Sequence, residues 1–294
     1  MTEIWPNFFI AGAARSGTTS LYTYLKQHPQ VYLSPIKEPH YFAQITPSPA
    51  QRHVVHPINR KESYLHLFRG AGGAVAIGEA SPSYLWEPQA PARIQAQIPE
   101  ARILLLLRDP VERAYSHYLM DVREGQETLP FEEALQRDWV RPNKGWGVSR
   151  LYVELGFYAP GVERFLRLFG PERVKVLFFE DLVQRPEVLL KEVQEFLGLN
   201  VLPLQAGEPQ NAYRAPRGPL ARKILGTPWI RQLTLLVPPG IRHPLKERFF
   251  LQQGPKPAMS REARRWLQSL YAPDLARLEE LLGRKLPQLR RSWC

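Results

Sequence analysis

The chain has 294 residues, of which 44% are hydrophobic and 23% charged, and its formal net charge is +11. This length allows a substantial buried core in one large α/β domain or two small ones, and the ordinary composition excludes a disordered chain. The positive charge favours anionic partners such as nucleotides, glycans, nucleic acid or a membrane surface, although a solvated basic face has the same composition.

The cysteine and histidine content excludes several kinds of site. The single cysteine, Cys294, cannot form an intramolecular disulfide, which favours a reducing compartment. The histidines show no metal-ligand spacing, so no metal is expected. The first residues lack a basic segment and the apolar run 8–14 is short. We therefore expect no signal peptide, no transmembrane helix and a cytoplasmic location.

Apolar runs alternate with helical patterns over the first two hundred residues, as in parallel βαβ units. Strands are predicted at residues 8–12, 31–33, 74–78, 102–107 and 174–179. Helices are predicted at residues 18–27, 112–120 and 186–197. We therefore predict an α/β, P-loop-like three-layer fold, in which helices flank a central parallel sheet of about five strands.

The character of the sequence changes after residue 200. A stretch rich in Pro, Gly, Gln and Arg at 200–220 predicts an extended loop. The segment 220–250 mixes apolar and basic residues with prolines, and it either packs over the core or forms a peripheral patch for a membrane or an acceptor. A helical stretch at 260–282, broken near Pro273, follows. The predicted single domain 1–294 thus has a core (6–200), a basic cover segment (200–258) and C-terminal helices (259–294).

The loop after the first strand has the spacing of a phosphate-binding loop. Gly12 and Gly17 stand at Walker spacing before a helix, whose N-terminal N–H groups favour an anion. The Walker lysine is absent, since Thr18 and Thr19 follow Gly17, and the cation lies upstream at Arg15. The loop is predicted to hold a phosphate-like group outside ordinary ATP or GTP chemistry. A P-loop kinase or NTPase and a non-catalytic polyanion-binding module are the alternatives.

Further polar residues are predicted near this loop, because ligands bind beyond the carboxyl ends of parallel strands. They are Arg108 and Ser116 after the strand 102–107, Glu79 and Ser81 after the strand 74–78, and Lys37, Glu38 and His40 in the loop 34–42. A carboxylate beside Lys37 and His40 needs burial or a like charge to raise its pKa, and Glu79 is the candidate for that charge.

Three motifs in this order resemble the sulfotransferases that use 3′-phosphoadenosine 5′-phosphosulfate (PAPS), most closely the branch of heparan sulfate and carbohydrate sulfotransferases and their bacterial relatives. The motifs are Ala-Arg-Ser-Gly-Thr-Thr at 14–19, Lys-Glu-Pro-His-Tyr-Phe at 37–42, and Leu-Arg-Asp-Pro-Val-Glu-Arg-Ala-Tyr-Ser-His-Tyr at 107–118. The resemblance spans about residues 6–200. It implies sulfuryl transfer from PAPS to a hydroxyl or amine of a carbohydrate or small metabolite, with release of adenosine 3′,5′-bisphosphate (PAP). Neither a metal nor nucleic acid is implied.

The resemblance also implies residue roles. The 5′-phosphosulfate is held by Arg15, Ser16, Gly17, Thr18 and Thr19. Arg15 also stabilises the leaving oxygen, and Arg108 and Ser116 bind the 3′-phosphate. Glu38 is implied as the general base, with a salt bridge as its alternative role. Candidate substrate or nucleotide contacts are Lys37, His40, Glu79, Ser81, Arg214 and Lys256. Ala80 stands where some glycan-modifying relatives carry lysine.

Overall fold

The computed structural model describes residues 3–293 apart from residues 50, 53–54, 208–213, 217, 219–250 and 255. Within this part of the chain five strands form one sheet in the order β2-β3-β1-β4-β5, and every neighbouring pair is parallel. The strands are β1 (Phe8–Gly12), β2 (Val31–Leu33), β3 (Ala76–Ala80), β4 (Arg102–Leu107) and β5 (Val174–Phe178). The predicted five-stranded parallel sheet is confirmed.

Helices cover both faces of this sheet. They are α1 (Thr18–Leu25), α2 (Lys61–His66), α3 (Ser83–Trp86), α4 (Ala90–Gln97), α5 (Pro110–Arg123), α6 (Phe131–Trp139), α7 (Ala159–Phe169), α8 (Phe179–Gln184), α9 (Pro186–Leu197) and α10 (Arg261–Leu282). Where a predicted helix or strand is present in the structure, its predicted and observed ends differ by at most three residues. The short helices α2, α3 and α8, and α4, α6 and α7, were not predicted.

The burial pattern of the strands explains the three layers. In β4, Ile103 and Leu105 face one hydrophobic cluster, which includes residues of α3, α4, α7 and α10, whereas Leu104 and Leu106 face a second, which includes residues of α1 and α9. A parallel strand covered on both sides is apolar at successive positions instead of alternating. The run of four leucines in β4 is therefore typical of a strand covered on both faces, and β4 lies between β1 and β5.

Strand β3 ends two residues later than the sequence pattern indicates. Glu79 and Ala80 pair with Phe9 and Ile10 of β1, so Glu79 lies inside the sheet rather than beyond its edge. A buried carboxylate is tolerated in a strand when hydrogen bonds satisfy it, and Glu79 has three hydroxyl donors around it. The prediction that Glu79 follows the strand end is wrong for this reason.

The predicted break near Pro273 is also absent, because α10 runs unbroken through it. Proline removes one helical hydrogen bond, but Tyr271 and Leu275 on either side are completely buried. The Asp274 carboxylate also accepts hydrogen bonds from the backbone N–H groups of Tyr158 and Ala159, at 2.8 and 3.2 Å. Packing and this side-chain contact hold the helix together across the proline.

The predicted cover segment is described only in part. Two short strands, β6 (Arg214–Pro216) and β7 (Leu251–Gln253), form an antiparallel pair, so a strand stands within the predicted extended loop. Residues 219–250 lie outside the described residues. The two alternatives for the segment 220–250, packing over the core or forming a peripheral patch, therefore stay predictions. In the described part of the chain, none of the helices has the length and apolar character needed to cross a membrane.

Candidate functional site

A cavity of about 640 Å³ opens at the carboxyl edge of the sheet. Residues that follow each of the five strands line it, among them Arg15, Glu38, Pro82, Arg108 and Phe179. Helix α5 and the segment 146–155 line it as well. The volume lies in the range of small-molecule and nucleotide sites, and its position is the one expected for a ligand of a parallel sheet.

The loop between β1 and α1 forms one wall of the cavity. Gly17 precedes α1 with φ of +89°, and a Cβ there would lie 2.8 Å from the ring of Phe179. Only glycine fits this backbone and this close approach. Thr18 and Thr19 begin the helix and line the cavity, so the N–H groups of the first turn are available to an anion.

Arg15 extends from this loop along the cavity face of α5. Its guanidinium donates to Ser116 Oγ at 3.3 Å and lies 3.2 Å from the sulfur of Met120. Burial lowers the pKa of Arg15 to about 10, and the positive charges of Arg123 and Arg108 act in the same direction. The side chain therefore stays charged at neutral pH, although it lies half-buried near other cations.

Arg108 connects the fourth strand to the same loop. Its Nη1 donates to the carbonyl of Arg15 at 3.2 Å, and its guanidinium lies 4.4 Å from the ring centroid of Phe179. Burial lowers the pKa of Arg108, and Glu112 opposes this. The structure thus brings Arg15 together with Arg108 and Ser116, which follow it in the sequence by 93 and 101 residues.

The start of α5 fixes the position of Ser116. The Asp109 carboxylate accepts hydrogen bonds from the N–H groups of Val111 and Ser292, at 3.0 and 2.8 Å. Pro110 occupies the first helical position, where its missing N–H costs nothing. With Asp109 as the cap and Pro110 as the first helical residue, α5 starts two residues earlier than the predicted residue 112. The same carboxylate also holds the C-terminal segment through Ser292.

Glu38 lines the cavity and has a φ of +62°. Its N–H donates to the carbonyl of Ala80 at 2.9 Å, and its carboxylate, 37% exposed, is paired with Lys37. Partial burial raises the pKa of Glu38, but the charges of Lys37 and Arg15 outweigh this, and the net pKa lies below the ordinary value of 4.5. The cations beside Glu38 thus lower its pKa, and Glu79 is not among the main influences on it.

The His40 side chain lies between Ser83 and Glu38. Its Nδ1 lies 2.7 Å from Ser83 Oγ, and its Nε2 lies 3.7 Å from a carboxylate oxygen of Glu38. Burial lowers the pKa of His40 to about 4. The imidazole is therefore neutral at pH 7, and it lines the cavity as a hydrogen-bonding group.

Glu79 and Ser81 lie outside the cavity lining. Glu79 is completely buried and accepts hydrogen bonds from Tyr64, Tyr84 and Ser81 at 3.1, 2.5 and 2.7 Å. Ser81 in turn accepts from the backbone N–H of His40 at 3.1 Å. Burial raises the pKa of Glu79 to about 7, against these hydrogen bonds. Glu79 and Ser81 therefore hold the backbone of His40 through hydrogen bonds and do not line the cavity.

We expect Glu79→Gln to flatten the pH dependence of thermal stability. The folded pKa of Glu79, about 7, exceeds the ordinary 4.5. Its stability contribution is therefore complete below pH 4.5 and is lost as pH rises through 7. Glutamine mimics the protonated carboxyl, so the Tm of this variant should fall less than that of the wild type between pH 5 and 8. Glu280→Gln, at an exposed position, is the control. An equal change of Tm with pH in Glu79→Gln and the wild type would contradict the raised pKa of Glu79.

Three other predicted contacts have different outcomes. Ser16 is completely buried and does not line the cavity. Lys256 lines it, with Nζ 2.6 Å from a carboxylate oxygen of Glu112 and 5.0 Å from the ring centroid of Tyr115. Arg214 belongs to β6, but its side chain lies outside the described part of the structure.

The wall formed by α5 and the segment 146–155 was missed by sequence reasoning. It contributes His117, Met120, Asp121, Arg123, Trp146 and Arg150. Helical spacing from Ser116 would have found Met120 and Arg123, since residues four and seven positions on share its face. The segment 146–155 has no comparable signal, because it reaches the site through tertiary packing.

A buried polar network holds this second wall. The Asp121 carboxylate accepts a hydrogen bond from the Tyr152 hydroxyl at 2.8 Å and lies 3.5 Å from Nε of Arg150. Arg150 also donates to the backbone carbonyl of Gln126 at 2.7 Å. Burial raises the pKa of Asp121 to about 6, which Arg150 opposes. The guanidinium of Arg150 is therefore fixed in place at the cavity.

No cluster of three or more His, Cys, Asp or Glu side chains with metal-binding geometry occurs among the described residues. Whether activity needs a metal is tested by assay in the presence of EDTA.

Comparisons with known proteins give a consistent picture. The sequence model described as the Sulfotransferase family matches residues 6–203. The crystal structure of a sulfotransferase from Alicyclobacillus acidocaldarius has a TM-score of 0.76 and 31% identity, over 98% of this chain and 99% of that one.

Two curated relatives carry more specific names. Carbohydrate sulfotransferase 15 of Rattus norvegicus is 28% identical over 289 residues, covering 75% of this chain and 50% of that protein. Heparan sulfate glucosamine 3-O-sulfotransferase 3B1 of Mus musculus is 31% identical over 198 residues, covering 66% of this chain and 46% of that protein. The chain spans about half the length of these relatives.

Proposed function

The chain belongs to the sulfotransferase family, and we propose that it transfers a sulfuryl group from PAPS to a hydroxyl or amine of an acceptor and releases PAP. One observation carries this proposal: the phosphate loop, Arg108 with Ser116, and Glu38 line the same cavity. PAPS carries anionic groups at both its 3′ and 5′ positions, and the cavity offers cations and hydroxyls to both. The missing Walker lysine argues against ordinary ATP chemistry.

The two anionic groups of the donor are assigned to different residues. The N–H groups at the start of α1 and the hydroxyls of Thr18 and Thr19 hold the 5′-phosphosulfate. The guanidinium of Arg108 and the hydroxyl of Ser116 hold the 3′-phosphate. Because Arg15 contacts Ser116 and its carbonyl accepts from Arg108, the two halves of the donor site support each other.

Glu38 is proposed as the general base. It accepts the proton of the acceptor hydroxyl while the acceptor oxygen bonds to sulfur and the bond from sulfur to the bridging phosphate oxygen breaks. Arg15 stabilises the negative charge that develops on the leaving phosphate. The lowered pKa of Glu38 keeps it in its proton-accepting form at neutral pH.

The acceptor is proposed to be a carbohydrate, or otherwise a small metabolite. The names of the curated relatives, carbohydrate sulfotransferase 15 and heparan sulfate glucosamine 3-O-sulfotransferase 3B1, support the carbohydrate class, and the net charge of +11 favours anionic ligands. A single domain, a cytoplasmic location and metal independence stay predictions from the sequence.

The test is acceptor-dependent formation of PAP by the purified chain, supplied with PAPS and a panel of saccharides and amines in the presence of EDTA. We expect turnover that EDTA leaves unchanged. Mg²⁺-dependent ATP turnover without PAP formation would contradict the proposal and indicate a kinase or NTPase. Salt-sensitive binding of polyanions without any turnover would indicate a non-catalytic binding module.

A further inference from the structure

Arg123 places an additional cation in the cavity, and no role in donor binding or proton transfer accounts for it. It lies seven residues after Ser116 on α5, so both side chains belong to one helix face. Met120 lies between them and contacts Arg15. At 1.5 Å per residue, the backbone of Arg123 is about 10 Å further along the helix than that of Ser116.

The charge of Arg123 is poorly compensated from within the cavity. Its ion pair in the described part of the chain is with the adjacent Glu124, through Nε at 3.0 Å. The two carboxylates that line the cavity have other partners: Glu38 is paired with Lys37, and Asp121 with Tyr152 and Arg150. The cavity face of Arg123 therefore has no carboxylate of its own in the described residues.

Arg123 and Arg15 are like charges on the same wall. Both side chains line the cavity, and Met120, three residues before Arg123 on α5, contacts the Arg15 guanidinium. The positive charge of Arg123 acts with burial to lower the pKa of Arg15. Such an arrangement is unfavourable in a partly buried site unless an anion lies between or beside the cations. A bound oxyanion would relieve this repulsion.

We propose that Arg123 binds a carboxylate or sulfate carried by the acceptor, and so selects acidic acceptors. This inference rests on the proposed function. The donor is assigned to the phosphate loop, Arg108 and Ser116, and Glu38 with Arg15 marks the point of transfer. The Arg15 guanidinium spans Ser116 and Met120 on α5. Arg123 lies three residues beyond Met120, further along the helix from the 3′-phosphate position, and we therefore assign it to the acceptor. Arg150, held by Asp121 and Gln126, borders the same region.

The test compares two small acceptors that differ at one group. The PAP-loaded protein is titrated calorimetrically with p-nitrophenyl β-glucuronide and with p-nitrophenyl β-glucoside, which lacks the carboxylate. We expect the wild type to bind the glucuronide at least about tenfold more tightly, as for a charge-assisted hydrogen bond. Arg123→Gln should reduce this preference to within about twofold and leave glucoside binding unchanged. Arg123→Lys should retain most of it.

Arg137→Gln is the matched control, because it removes the same charge from an exposed position on α6 outside the cavity. A wild type without preference for the glucuronide, or an Arg123→Gln variant that keeps the preference, would overturn the inference. Weaker binding of PAP itself by Arg123→Gln would also overturn it and assign Arg123 to the donor. Failure of the wild type to bind PAP at all would instead overturn the proposed function, on which the inference depends.

Discussion

Glu38→Gln is expected to lower kcat for sulfuryl transfer by about 10²- to 10⁴-fold, the range typical of losing a general base. The amide has nearly the same size as the carboxylate but cannot accept the acceptor's proton. Affinity for PAP should stay within about twofold, because Glu38 is assigned to the acceptor and not to the nucleotide. Initial rates of PAP formation and calorimetric titration with PAP measure the two effects separately.

The pH profile gives an independent check on Glu38. Since its pKa lies below 4.5, the ionised base persists as pH falls from 8, and Glu38 should cause no loss of activity until the pH approaches that range. Glu62→Gln, at a side chain that is 76% exposed, is the control for a removed carboxylate. A Glu38→Gln variant that keeps more than about a tenth of the wild-type kcat would contradict the general-base role.

Arg108→Ala is expected to remove the preference for a 3′-phosphate. The wild type should bind PAP more tightly than AMP, and the variant should lose about 10- to 100-fold in PAP affinity, the usual effect of losing charged hydrogen bonds. AMP affinity should change much less, because AMP has no group for the Arg108 fork. Calorimetric titration of both proteins with both nucleotides gives the double comparison.

A second variant separates charge from geometry at this position. Arg108→Lys keeps a cation but loses the planar fork and the contact with Phe179, so PAP affinity should be intermediate. Thermal melting would show whether either variant alters the fold, since Arg108 also donates to the Arg15 carbonyl. Equal affinity of the wild type for PAP and AMP would rule out the assigned donor site.

The sequence by itself determined the parallel sheet and the loops after β1, β2 and β4 at its carboxyl edge. Leu104 and Leu106 alternate with Ile103 and Leu105 in a continuous apolar run, which is typical of a parallel strand buried on both faces. Once the strands are parallel, the loops after them meet at one edge. For this reason the sequence predicts that Arg15, Glu38 and Arg108 lie in one site, and all three line the cavity.

Only the tertiary structure decided where Glu79 lies, whether α10 continues through Pro273, and what forms the second wall of the cavity. The hydroxyls that satisfy Glu79 come from residues 64, 81 and 84. The hydrogen bonds to Asp274 of α10 come from Tyr158 and Ala159, at the start of α7. Such effects depend on which distant groups pack together. A local pattern contains strand and helix periods, but it contains neither the burial that shifts a pKa nor the partner that compensates a charge.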